Sequence, residues 1–337
     1  MCQRAALGMA SLADISRRAG VSVATASRVL NGSTHPVSGA TRERVLAAAD
    51  ELGYRPSELA RALVKRTSRI VGVIVGDIVD PYFAEIARGV ADVAAPAEHL
   101  TMVCNADRRP AAELAHLAVL RDYQAAGVVF AGSGYEDPVD SAALRAAVED
   151  LQAGGAAVVA LAARDLDCAS VRVDNVAATR DATEHLLSLG HRRIAFVEGP
   201  PGLHTSAQRL QGFAGAVSAA GGEPILVPGG FEYEAGDAAA ETLLAGGELP
   251  DAILAANDEV AIGVLTRLRR AGVDVPGRVS LVGIDDTRPA RLVDLTTISL
   301  PLHELGVRAA QAILEGGGGD VVLGHRLVVR GTTAPRA

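Results

Sequence analysis

The sequence predicts an α/β chain, a small all-α head followed by a larger body of two parallel α/β blocks. Glycine-separated, Ser/Thr/Arg-studded helical stretches fill the first sixty or so residues, and from Arg69 onward short apolar runs alternate with Ala-rich helical stretches. The charge divides at the same place. Residues 1–66 hold ten Lys/Arg against five Asp/Glu, while the rest of the chain holds 22 against 35, within a total of −8. A basic head on an acidic body suits nucleic-acid binding, because neutralising phosphates supplies much of such affinity, although a solvated basic surface gives the same count. With 337 residues, 49% of them hydrophobic, the chain can bury a real core, and the body is long enough to divide in two.

Ser11 with Asp14 three residues later reads as a capping box opening a helix over Leu12 to Ala19, which Gly20 closes. Ser22 caps a second helix over Val23 to Leu30, stopped by Asn31-Gly32, and two short helices around a Gly-containing turn make a helix-turn-helix pattern. On this second helix Ala26, Val29 and Leu30 can face the first, leaving Ala24, Ser27, Arg28 and Asn31 on the opposite, small and cationic side. A third helix runs from about Ser38 to Leu52, with Val45, Ala49 and Leu52 on one face and Gly53 as its stop. Ser57 then caps a segment, ELARALV, too short to be a stable helix alone in water.

The body follows as apolar strands at Ile70 to Val75, Leu100 to Cys104, Gly127 to Ala131 and Ala157 to Leu161, with helices starting near Pro81, Ala111 and Ser141. The alternation restarts at Ile194 to Gly199, Pro224 to Gly229, Ala252 to Asp258 and Ser280 to Asp286. Continuous apolar strands between helices imply parallel sheets covered on both faces, and two blocks imply two subdomains facing each other across a cleft.

Cys2, Cys104 and Cys168 are too scattered for a disulfide framework or a CxxC metal site, and His185, His191 and His204 lack metal-ligand spacing, so no cofactor or metal is expected. No apolar stretch approaches the ~20 residues of a membrane span, and the first residues lack a signal peptide's apolar run, so the expected location is the cytoplasm. Met9, just before the first cap, is an alternative start to Met1. No GxGxxG, GxSxG, Walker loop or HExxH stands where it would carry chemistry, so an enzyme is not expected.

In order and spacing, LADISRRAGVSVATASRVLNG, VSGATRERVLAAADELGYRPSELARAL, DPYFAEIARGV, HLLSLGHRRIAFVEG, SAQRLQGF, AANDEVAIG, VGIDD and LTTI make the chain resemble the LacI/GalR transcriptional regulators over nearly its whole length. The resemblance implies a DNA-binding headpiece over 11–56, a hinge helix and linker over 57–68, and an effector-binding and dimerisation core over 69–337 of the periplasmic-binding-protein type. It places the first core subdomain at about 69–172 and 300–330 and the second at about 173–299, with crossings near Val173, Ser299 and the C-terminal region. It further implies a homodimer on operator double-stranded DNA, most often as a repressor, with a small effector in the cleft changing that affinity.

By motif position, Val23, Ala24 and Arg28 face bases, while Ser22, Thr25, Ser27 and Asn31 face phosphates. Arg28 can donate two hydrogen bonds to guanine, whereas Val23 and Ala24 offer apolar contact alone. Ala26 stands where the family usually has Val, a smaller side chain against the first helix. The family wedges a Leu at the position of Leu63 into the minor groove, with the small Ala60 beside it; the alternative is that Leu59 and Leu63 are an apolar stripe on the core. The effector site carried over is Asp80, Tyr82 and Phe83, Thr205 and Arg209, Phe231, Asn257 and Asp285. Paired carboxylate and guanidinium groups share sugar hydroxyls and an aromatic ring stacks on a pyranose, so a sugar is expected, with a nucleoside or purine compatible. Helix capping is the alternative role for Asn257 and Asp285.

Two departures stand out. Leu300 occupies a position where the family commonly has Gln, and Pro96 should shorten the helix of the DPYF motif. The rival reading is a transport solute-binding protein of the same core fold, which the headpiece and the lack of a leader argue against. With no heptad repeat at the C-terminus, a dimer is expected rather than a coiled-coil tetramer.

Overall fold

The computed structural model describes residues 10–30, 35–54, 68–316 and 318–336. It divides into two units, Met1–Ser68 and Arg69–Ala337. Within the first, α1 (Leu12–Ala19), α2 (Val23–Leu30) and α3 (Gly39–Glu51) surround a small core of Ile15, Ala19, Ala26, Val29, Val45, Ala48 and Ala49. The capping box forms as the sequence dictates: the Asp14 amide donates to the Ser11 hydroxyl at 3.3 Å and the Ser11 amide donates to the Asp14 carboxylate at 3.0 Å. Gly20 ends α1 at φ 64°, a left-handed conformation that favours glycine. On α3 the expected inward Leu52 is exposed. It is the residue after the last helical turn, and Ala48 takes the inner face beside Ala49.

The second unit holds two six-stranded sheets. The first contains β1 (Ile70–Val75), β2 (Leu100–Asn105), β3 (Gly127–Phe130), β4 (Ala157–Ala160), β5 (Ala169–Val173) and β11 (Asp320–Leu323), in the order β11-β5-β4-β3-β1-β2. The second contains β6 (Ile194–Val197), β7 (Ile225–Val227), β8 (Ala252–Ala255), β9 (Ser280–Asp285), β10 (Thr296–Ser299) and β12 (Arg326–Val328), in the order β12-β10-β9-β8-β6-β7. One topology is thus used twice. The difference is at the last edge, where β11 runs parallel to β5 and β12 antiparallel to β10.

The chain passes between sheets after β5, after β10 and between β11 and β12. The last crossing falls at residues 324–325, so the expected first-subdomain span of 300–330 is too long. Thr297, Ile298 and Ser299 pair with Val328, Leu327 and Arg326, which ties residues 326–328 to the second sheet.

Helices cover the sheets. α4 (Pro81–Ala94), α5 (Pro110–Asp122) and α6 (Pro138–Ala153) follow β1, β2 and β3; α7 (Asn175–Ser188) leads to β6; α8 (His204–Ala219), α9 (Tyr233–Ala245) and α10 (Asp258–Arg270) follow β6, β7 and β8; α11 (Arg288–Leu292) and α12 (Leu302–Leu314) complete the set. α6 starts three residues before the expected Ser141, because Asp137 caps it, accepting from the Val139 amide at 2.7 Å, and Pro138 fits the first turn. Where α4 meets α12, Gly89 and Gly306 lie against each other's helix backbones, and a methyl on either would strike the carbonyl of His303 or Ile86. The equivalent pair in the second half, α7 and α8, meets through Gly212 against the Val176 carbonyl.

Candidate functional site

The carboxyl ends of both sheets face one cavity, the place where ligands sit in open α/β folds. It encloses about 560 Å³ of atom-free space including its mouth, and all eight expected residues, Asp80, Tyr82, Phe83, Thr205, Arg209, Phe231, Asn257 and Asp285, line it. Asp80 caps α4, accepting from the Tyr82 amide at 2.9 Å, so one carboxylate oxygen is fixed by the fold. Its burial pushes its pKa up to about 6, against the pull of that amide and of Arg108. The Tyr82 and Phe83 rings stand edge to face, centroids 5.0 Å apart.

On the opposite wall Arg209, 3% exposed, donates to Asn175 Oδ1 at 3.1 Å, to the Ala256 carbonyl and to Asp285 Oδ1 at 3.3 Å. Burial holds the Asp285 carboxyl well above its ordinary value even with Arg209 beside it. Asp285 also sits at φ 126°, a backbone conformation side chains rarely adopt, and such strain concentrates at ligand sites. Asn257 does two things. Its oxygen caps α10 through the Val260 amide at 2.9 Å, and its amide group donates to the Phe231 carbonyl at 2.9 Å, which fixes the aromatic wall. The capping alternative therefore holds for Asn257 within the cavity wall, and not for Asp285.

The structure adds residues the motifs did not single out. Arg108, after β2, reaches Asp80 Oδ2 at 3.4 Å and crosses the mouth to Glu232 Oε1 at 2.8 Å, its guanidinium 5.4 Å from the Phe231 centroid. Glu113, Ser133, Tyr135 and Leu203 line the same cavity. Their signal in the sequence was position alone, since the loop after an apolar strand, and for Glu113 the first turn of the helix that follows it, belongs to the ligand crevice. Leu300 does not join them; it is buried in the core.

In the first unit, Val23 is 47% exposed, and Ala24 and Arg28 are exposed beside it on α2. The Ser22 hydroxyl accepts from the Thr25 amide at 3.1 Å and lies 2.9 Å from the Thr25 hydroxyl, so these two shape the helix start. Ser27 is half-buried. Asn31, Ala60 and Leu63 lie outside the described residues. Among the described residues there is no cluster of three His, Cys, Asp or Glu side chains able to hold a metal ion, and no helix long and apolar enough to cross a membrane.

Comparisons with known proteins agree with this geometry. Residues 11–57 match the family described as bacterial regulatory proteins, lacI family, and residues 183–337 match a periplasmic binding protein-like domain. The chain is 33% identical to catabolite control protein A of Priestia megaterium, over 95% of this chain and 98% of that one. It is also 33% identical to the HTH-type transcriptional repressor CytR of Escherichia coli K12, over 96% of each. Its fold matches the Lac repressor dimer bound to operator and the anti-inducer ONPF with a TM-score of 0.82 at 28% identity, covering 97% of this chain and 100% of that one. The transcriptional regulator CelR in complex with cellobiose matches with a TM-score of 0.67 at 29% identity, covering 96% and 99%. A helix-turn-helix unit, a two-sheet core closed on a cavity that sets a few charged groups among aromatic and apolar ones, and relatives matched nearly end to end meet in one conclusion: the chain belongs to the lacI family of bacterial regulatory proteins and is an effector-controlled DNA-binding regulator, not an enzyme.

Proposed function

We propose that this regulator is a repressor, that it binds a two-half-site operator as a homodimer, and that a sugar in the core cavity sets its operator affinity. The observation that carries the effector assignment is the Arg209–Asp285 pair, buried on one wall with the Asp80 carboxylate in the same cavity. A guanidinium and two carboxylates present both donors and acceptors, the complement of a ring bearing several hydroxyls, while Phe231 and Tyr82 offer faces to its apolar side. The likeness to a cellobiose-bound regulator supports the sugar class. On the DNA side, α2 enters the major groove with Val23, Ala24 and Arg28 toward bases and Ser22, Thr25 and Ser27 toward phosphates. Asn31, Ala60 and Leu63 keep the roles the resemblance gives them. The effector acts through its unequal affinity for the two arrangements of the core halves, which is the whole of its leverage over DNA.

The test is a thermal-stability screen of the full chain against sugars and nucleosides. A ligand at 100 times its dissociation constant adds about 2.7 kcal/mol, so a sugar that fills the cavity raises the melting temperature measurably. A rise with nucleosides and none with sugars overturns the sugar assignment.

A further inference from the structure

The cavity is closed along one side by a lip in which the first half of the core meets the second. The His204 amide donates to the Gly134 carbonyl at 3.1 Å, the Glu136 amide donates to the Gly202 carbonyl at 2.9 Å, and the Thr205 amide donates to the Ser133 hydroxyl at 3.0 Å. Tyr135 and Leu203 form an isolated antiparallel bridge between these bonds. Three partners on residues 133–136 therefore have to be in register with 202–205 before the cavity can shut.

Behind that lip lies a buried ion pair that the effector assignment does not use. Arg164, in the loop after β4, holds Glu113 of α5 through two parallel hydrogen bonds of 2.7 and 2.8 Å, with side chains only 2% and 4% exposed. The same guanidinium donates from Nε and a terminal nitrogen to the Gly132 carbonyl at 3.2 and 3.1 Å, and lies 4.4 Å from the Phe130 centroid and 5.8 Å from that of Tyr135. The Ala163 carbonyl next to it accepts from the Gly134 amide at 3.1 Å. A buried pair is an expensive way to stabilise a fold, since apolar residues of similar volume serve as well or better. What it supplies is direction, because a planar fork held on both sides fixes the carbonyl it grips.

We propose that Arg164 and Glu113 are positioning residues for effector capture: they set the 132–136 loop so that it zips onto 202–205 and encloses the ligand. The consequence for effector binding rests on the reading of the cavity given above, whereas the positioning itself is tested without any ligand. Arg164 grips the loop one residue before Ser133, the first of the three cross-lip partners, and its ring contacts brace Phe130 and Tyr135 on either side. Glu113 fixes the fork that does this, and Lys at 164 would keep the charge and lose the double grip.

Hydrogen exchange on the ligand-free full chain reads the lip directly through the amides of Glu136 and His204. In the native chain these exchange slowly. In the paired apolar variant Glu113→Leu with Arg164→Met, they exchange at least tenfold faster while the amides of β1 and β3 keep their protection; Arg164→Lys gives the same pattern and covers the case in which the paired variant does not fold. Unchanged protection at the lip in a folded variant overturns the proposal. So does equal loss throughout β1 and β3, which would make the pair a plain support of the fold, and so does fast exchange at both amides in the native chain. A sugar screen without hits leaves all of these outcomes readable, so the two readings fail separately.

Discussion

The two units of the chain hold the arginine assigned to their ligand in opposite ways. On α2 of the headpiece Arg28 is exposed and, among the described residues, makes no ion pair, while in the core Arg209 is buried and donates to three partners before any ligand arrives. The difference follows from the targets. A DNA groove brings its own charge and is met by a solvated, adaptable cation, whereas a small neutral ligand needs donors already held in place, with their desolvation cost met during folding. Stability and function should therefore be coupled in the core and separable in the headpiece.

The sharpest way to break this contrast is Arg209→Ala. It leaves Asp285 buried without its cation, so unfolding titrations should show a loss of about 3–5 kcal/mol, together with loss of the effector response. An intact effector response in a folded variant would remove Arg209 from the site. Asp80→Asn is expected to move stability the other way. The folded chain holds a proton on Asp80 up to pH about 6 and the unfolded chain only to about 3.8, so native stability falls as pH rises between these values. At pH 7.5 the Asn variant, which can still cap α4, should gain up to about 3 kcal/mol over the native chain, and the gain should vanish below pH 4. A gain that persists at pH 4 would mean that charge is not its cause.

Smaller effects test whether the two core halves are equivalents. Gly306→Ala and Gly212→Ala each place a methyl against a neighbouring helix backbone, and each should cost about 1–3 kcal/mol in urea titrations. A cost at only one of them would show that the helix pairs α4–α12 and α7–α8 are not held alike. Arg28→Ala, the mildest change, should leave stability within about 0.5 kcal/mol while relaxing discrimination at one operator position by about 1–3 kcal/mol. A uniform drop in affinity across sequences would mark Arg28 as a phosphate contact.

Much of this architecture was legible before the structure. Capping signals at Ser11 and Ser22 and stops at Gly20 and Gly53 delimit most of the headpiece helix ends, because these are local backbone requirements written in single residues, while Ser38, read as an approximate helix start, proves to be the cap of α3. The central strands β1, β3, β4, β6, β8 and β9 were legible as continuous apolar runs because they are largely buried on both faces. The edge strands β2 and β7 were legible from their apolar composition although part of each is open to solvent. The exchanged strands were not: β11 and β12 sit at sheet edges with no fully buried residue, and their sheet membership depends on partners far away in sequence. The cavity divided similarly. Residues inside family motifs, such as Arg209 and Asp285, could be placed in advance. Arg108, Glu113 and Arg164 could not, since they come from separate loops and a helix, and their contacts exist only once β4, β3, β1 and β2 are assembled in that order in one sheet.

The most direct test of the central claim is the affinity of the full chain for duplex DNA that it enriches from a random pool, measured with and without a saturating amount of the sugar that stabilises it. Coupling between two sites is typically worth 1–3 kcal/mol, so the sugar should change DNA affinity by about 5- to 150-fold, and Arg209→Ala should abolish the change. Equal DNA affinity with the cavity empty and filled would contradict effector control.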